Sequence, residues 1–244
     1  LTFRRAKTYL RGLIAPQPLE ETGPVTQAIA AMRQRHPAFP YCPVSEGNLL
    51  YRLASWPEIH SALEIGFATG STALYLLEGM SPKGDKVVSI DFKQSDFDYL
   101  GVEAVKASPH ARLHTLIEGN TNVVLPRLLG DGACFGLIFL DGWKVFDHLM
   151  LDAYYACRLL QPGGFLVFDD AIMPSTRKVI SVVRSYYGFT EIDYAEFGET
   201  WRLRAQFMTT QGRHAFRRPY RAFRKPRHFD DLPAISQYDF WRRL

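Results

Sequence analysis

The residues best placed to do chemistry are glycines and acids at the ends of apolar runs. In SALEIGFATGSTALYLLEGM, residues 61–80, Ala62, Leu63 and Ile65 are strand-like, Gly66 and Gly70 permit tight turning, and Ser71 or Thr72 opens a helical pattern. A helix start after such a turn is a ready anion site. Asp91 closes VVSID, Asp141 closes LIFLD, and Asp169 with Asp170 closes FLVFDD. An acid after one strand is an ordinary turn or helix cap, but acids after several strands gather at one crevice of a parallel sheet. Asp91 follows Gly66 by 25 positions, near the separation at which an acid on the second strand accepts from ribose hydroxyls. Gly66, Gly70 and Asp91 together imply an adenosine-type cofactor, without choosing between S-adenosylmethionine (SAM) and a dinucleotide.

These groups need strands that alternate with helices. The apolar patterns predict strands near 61–67, 86–91, 112–117, 135–140, 164–169, 189–195 and 202–209. Helices are predicted near 70–79, 95–107, 121–130, 145–160 and 175–187, which is a βαβ order and a parallel sheet. In the fourth of these helices Phe146, Leu149, Met150, Ala153, Ala156, Cys157 and Leu160 share a face, and Pro162-Gly163-Gly164 should stop it. Ahead of the sheet, 24–35 and 46–54 read as helices, the second capped by Ser45 with Glu46 in its first turn.

A nicotinamide fingerprint would want glycines at positions 66, 68 and 71 and finds only the first. The spacing Glu64-x-Gly66-x-x-x-Gly70 instead resembles motif I of class I SAM-dependent methyltransferases. LIFLDGWK, the Pro-Gly-Gly turn, FLVFDD and AIMPST resemble cation-dependent O-methyltransferases, over about 45–205, of the catechol and macrocin-type sugar groups. The resemblance implies a Rossmann-like α/β fold: a seven-stranded, mostly parallel sheet with one antiparallel strand and helices on both faces. It places Glu64, Gly66, Gly70, Ser71 and Thr72 at the amino-acid end of SAM, Asp91 on the ribose, and Thr121 and Asn122 near the adenine. Asp141, also counted with the cofactor residues, joins Asp169 and Asp170 in holding a divalent cation such as Mg²⁺, and Lys144 matches the catalytic lysine of the catechol enzymes.

Two departures concern the acceptor. The last metal position is asparagine in the catechol enzymes but Asp170 here, as in the sugar group, whereas Trp143 and Lys144 are catechol-like. Three carboxylates are hard ligands suited to Mg²⁺, and a cation there could lower the pKa of a substrate hydroxyl. Lys144 could take the proton if its ordinary pKa of about 10.4 were depressed. His148 is the reserve base, Trp143 and Tyr41 are candidate walls for an acceptor, and Glu199 is a candidate substrate-facing acid. The expected reaction is methyl transfer from SAM to a hydroxyl of a small phenolic or sugar-bearing molecule.

Charge is distributed unevenly. Residues 213–228 carry +7 with no acid, leaving −3 for the rest of a chain of formal net charge +4. With Phe216, Tyr220 and Phe223 interleaved, the segment suggests an anionic partner, and with it two alternatives: a nucleic-acid methyltransferase, or a non-enzymatic protein docking on anionic surfaces. The fourth predicted strand ends in Asp-Gly-Trp-Lys, unlike the Asn-Pro-Pro-Tyr type of many base methyltransferases. The expected layout is an N-terminal helical extension over 1–44, the catalytic domain over 45–210 and a basic aromatic tail over 211–244. Cys42, Cys134 and Cys157 have no metal-ligand spacing and read as reduced thiols. Arg11 interrupts the only leader-like stretch and no run is long enough to span a membrane, so a cytoplasmic location is expected, with self-association left open.

Overall fold

The sheet is ordered around β1. The computed structural model describes residues 23–192 and 219–229. Two helices, α1 (Pro24–Arg35) and α2 (Val44–Ala54), precede β1 (Ser61–Ile65). There follow α3 (Ser71–Met80), β2 (Lys86–Asp91), α4 (Leu100–Ala107), β3 (His114–Glu118), α5 (Thr121–Gly130) and β4 (Phe135–Leu140). The remaining elements are α6 (Phe146–Leu159), β5 (Leu160–Phe168), α7 (Pro174–Ser185), β6 (Thr190–Glu191) and β7 (Arg221–Arg224).

The strands lie in the order β3-β2-β1-β4-β5-β7-β6, with β3 through β5 parallel and β7 antiparallel to both of its neighbours. The order reverses between β1 and β4, so their carboxyl ends open a crevice where the connections diverge. β4 is buried along its whole length, as its uninterrupted apolar run requires of a central parallel strand. Alternation divides the core in two. Ala62, Leu137, Phe139, Phe165 and Val167 pack toward α1–α4, and Leu63, Ile65, Ile138, Leu140, Leu166 and Phe168 toward α6 and α7.

Three local expectations change. The Pro-Gly-Gly turn lies inside β5, because α6 runs straight into that strand and the irregularity is absorbed by a register shift against Phe135 and Leu137. Helix α2 starts at Val44 with no side-chain cap, so Ser45 is not its cap. The seventh strand is 221–224, within the expected tail: Phe223 is fully buried against Phe168, and the sheet takes in chain beyond residue 210. The predicted strand over 202–209, residues 193–195 of the predicted 189–195 strand, and Glu199 lie outside the described residues. Among the described residues no helix is long and apolar enough to cross a membrane.

Three cations of the basic segment, those on and just after β7, are spent on the protein itself. Arg221 donates to both oxygens of Glu191 at 2.8 and 2.6 Å, and Arg224 donates to the Gly163 carbonyl. Lys225, 5% exposed, donates to the Cys157 and Leu160 carbonyls at the end of α6, where the helix leaves its last carbonyls unpaired.

Candidate functional site

Where the strand order reverses, a cavity of about 660 Å³ opens, in the size range of small-molecule sites. Its floor is the loop from β1 to α3. Gly66 has φ +96°, and a Cβ there would stand 2.3 Å from the Asp141 carbonyl oxygen, so only glycine lets the ends of β1 and β4 lie this close. Gly70, at φ +69°, turns the chain into α3. Asp91 shapes the loop from the side: its Oδ2 accepts from the amides of Phe67 (2.9 Å) and Ala68 (2.7 Å), and its Oδ1 from that of Lys93 (3.0 Å). Ala68 is thereby held at φ +44°, unusual for a residue with a side chain.

The expected cofactor residues separate into two groups. Gly66, Ser71, Thr72, Asp91, Thr121 and Asp141 line the cavity. Glu64, Gly70 and Asn122 do not. Glu64 alternates toward the α1–α4 side of the sheet, fully buried, with Oε2 accepting from Ser89 Oγ at 2.5 Å; burial pushes its carboxyl well above the ordinary range. Gly70 backs onto Gly101 of α4, where even a Cβ would collide. Asn122 is exposed on α5, its amide donating to Asn120 Oδ1, and Asn120 is the residue that both caps α5 and faces the cavity. Ser71 has a partner already, since its Oγ accepts from the Cys42 amide at 2.9 Å.

At the other end of the cavity the acids meet. Asp141, Asp169 and Asp170 offer carboxylate oxygens all within 4.8 Å of one another. Asp170 sits at φ +49°, turned back toward the other two. Lys144 donates to Asp141 Oδ1 at 2.7 Å and to the Gly142 carbonyl, with Asp170 Oδ2 at 3.8 Å. Burial raises the Asp141 carboxyl to about 8, with Asp169 pushing the same way and Lys144 opposing. Burial and Asp169 also raise Asp170 against Lys144. For Lys144 burial lowers the pKa, but Asp141, Asp169 and Asp170 outweigh it and the net shift is upward. The depressed lysine that proton acceptance would want is thus absent from this arrangement, because three uncompensated acids surround it.

Two buried lining acids escaped sequence reasoning. Glu46 of α2 is 4% exposed, lies within hydrogen-bond reach of Asp169, and is raised well above the carboxylate range by burial and then by Asp169 and Asp141. Asp152 of α6 is buried beside Thr121, with Oδ1 unpartnered and its carboxyl raised by burial to about 6. Its signal was in the pattern: it falls three after Leu149 and four before Ala156, on the apolar face. Glu46 gave none beyond a first-turn acid. His148 and Trp143 stand at the mouth with ring centroids 5.4 Å apart, and Trp143 is 69% exposed. Tyr41 lines the rim but commits its hydroxyl to the Met32 and His36 carbonyls.

Residues 63–171 match the family model described as a methyltransferase domain. A catechol O-methyltransferase of Mycobacterium tuberculosis is 28% identical over 127 residues, covering 52% of this chain and 55% of that protein. Catechol O-methyltransferase B of Danio rerio is 25% identical over 144 residues, 57% of this chain and 53% of that protein. The chain thus spans about half the length of the curated relatives it matches. Among solved structures, the O-methyltransferase TomG from Streptomyces achromogenes, in complex with SAM, superposes with a TM-score of 0.57 at 21% identity, over 77% of this chain and 87% of that one. That likeness establishes the fold, and the matches together uphold the resemblance to class I SAM-dependent O-methyltransferases.

Proposed function

We propose that the protein is a SAM-dependent O-methyltransferase that uses a divalent cation and acts on a hydroxyl of a small molecule. One observation carries this reading: Lys144 and three converging aspartates stand at one end of a cavity whose other end is a glycine loop closed around Asp91. The curated relatives that match are O-methyltransferases.

The residues fit both implied groups. The loop at 66–69, Ser71 and Thr72 at the start of α3, and Thr121 would cradle the cofactor, with Asp91 offering its less occupied Oδ1 to the ribose. Asp141, Asp169 and Asp170 supply hard oxygen donors for Mg²⁺ or a similar ion. Such an ion would supply Lewis acidity, lowering the pKa of a substrate hydroxyl. The same positive charge would lower the pKa of Lys144 and release it from Asp141, leaving its Nζ to accept the hydroxyl proton while the substrate oxygen takes the methyl group from the sulfonium. Trp143 and His148 wall the approach, which suits a planar acceptor.

Labelled SAM offered with catechols, other phenols and glycosides, each with Mg²⁺ and with a chelator, tests the whole reading. Cation-dependent labelling of one class is the expected result. Tight NADH binding without SAM or S-adenosylhomocysteine binding would overturn it.

A further inference from the structure

The aspartate centre has a fourth carboxyl that does not come from the sheet. Glu46 projects from α2, is 4% exposed, lines the same cavity, and lies within hydrogen-bond reach of Asp169, while its Oε1 is buried without a hydrogen-bond partner. Its position is set by close packing: a Cβ on the next residue, Gly47, would stand 2.2 Å from the Tyr75 ring of α3, so α2 and α3 approach as nearly as glycine allows. An acid buried with no partner is costly in its charged form, and more so against three further acids, unless it keeps its proton or shares a cation with them. Lys144 supplies one positive charge against four carboxyl groups.

Glu46 does not belong to the set whose oxygens all lie within 4.8 Å, so it reaches the centre from one side, through Asp169. Magnesium-like ions keep several of their waters, and those waters need acceptors. We propose that Glu46 is a positioning residue of the cation centre, its free oxygen accepting from the hydration shell of the ion and so tying α2 to Asp169. The inference rests on the cation reading above and assigns to the first helices a part in building the site. The cation would then draw on α2 as well as on the ends of β4 and β5.

Titration of the full chain with Mn²⁺, followed by electron paramagnetic resonance of the free ion without SAM or acceptor, separates the two claims. Outer partners of metal ligands commonly govern affinity by about 10–100-fold, so Glu46→Gln should weaken Mn²⁺ binding at least about tenfold while S-adenosylhomocysteine affinity stays within about twofold. Unchanged Mn²⁺ affinity in Glu46→Gln overturns the role of Glu46 and leaves the cation reading standing. Absence of Mn²⁺ binding in the unaltered protein overturns the cation reading and this inference with it. Should Glu46→Gln lose its cooperative urea transition, Glu46→Asp decides the matter, because it keeps the charge on a shorter arm. At least about threefold weaker Mn²⁺ binding supports the proposal, and unaltered binding overturns it.

Discussion

The strand ends at 91, 141 and 169–170 and the basic segment at 213–228 differ in how far residue type reveals position. At the strand ends each acid follows an apolar run, and the run itself dictates where the acid must go, so Asp141, Asp169 and Asp170 converge. In the basic segment charge pointed outward, yet Arg221, Arg224 and Lys225 are turned onto a carboxylate and main-chain carbonyls, and the Ala222-Phe223 pair between them fills both core faces. A cation on a long stem can lie along an apolar strand and still satisfy its head group. Charge count therefore says less about location than the apolar residues it surrounds.

The contrast is broken most directly by removing the chain after Gly212. Since β7 is paired on both edges and Phe223 is fully buried, the truncated protein should lose its cooperative urea transition, Phe223→Ala alone costing about 3–5 kcal/mol. A native midpoint after truncation would return the segment to the surface. At the strand ends the reverse holds: Asp169→Ala/Asp170→Ala should abolish turnover with the fold and S-adenosylhomocysteine binding retained, as read by labelled-methyl assay and calorimetry. Lys144→Ala should lower the turnover rate about 10²–10⁴-fold with little change in SAM affinity and partial recovery at alkaline pH.

A pH effect probes the ground beneath the glycine loop. His114, stacked on Phe67 and hydrogen-bonded to Ser89, is pushed down to about 4 by burial. The unfolded chain therefore binds a proton first as pH falls, and stability that is intact above about 6.5 should decline toward pH 4, by at most about 3 kcal/mol. Urea midpoints of the unaltered protein and of His114→Gln over that window measure it, the variant being flatter. The smallest effect belongs to Arg227, exposed beyond β7, where alanine should change stability by less than about 0.5 kcal/mol.

The parallel half of the fold was legible because burial on both faces writes itself as VVSI, LIFL and FLVF. β7 was not, since its four residues RAFR place arginine at both ends of a buried pair. Within the site, the acids on strands were legible and those on helices were not. Glu46 looks like any acid in a first helical turn, and only the packing of Gly47 on Tyr75 carries it inward. Glu64 differs again: strand alternation turns it to the α1–α4 side of the sheet, where it meets Ser89 and does not itself line the cavity.

The carboxylate of Asp91 occupies the loop between β1 and α3 much as a bound anion would, gathering the amides of two consecutive residues that precede it in sequence by more than twenty positions. The turn at 66–69 is thus cast from within. Neutralising Asp91 would release Ala68 from its left-handed twist, so damage at the end of β2 would surface as a misshapen floor one strand away. Anyone transplanting this loop into another scaffold would have to move three pieces together: the glycine at 66, the twisted residue at 68, and the distant acid that holds them.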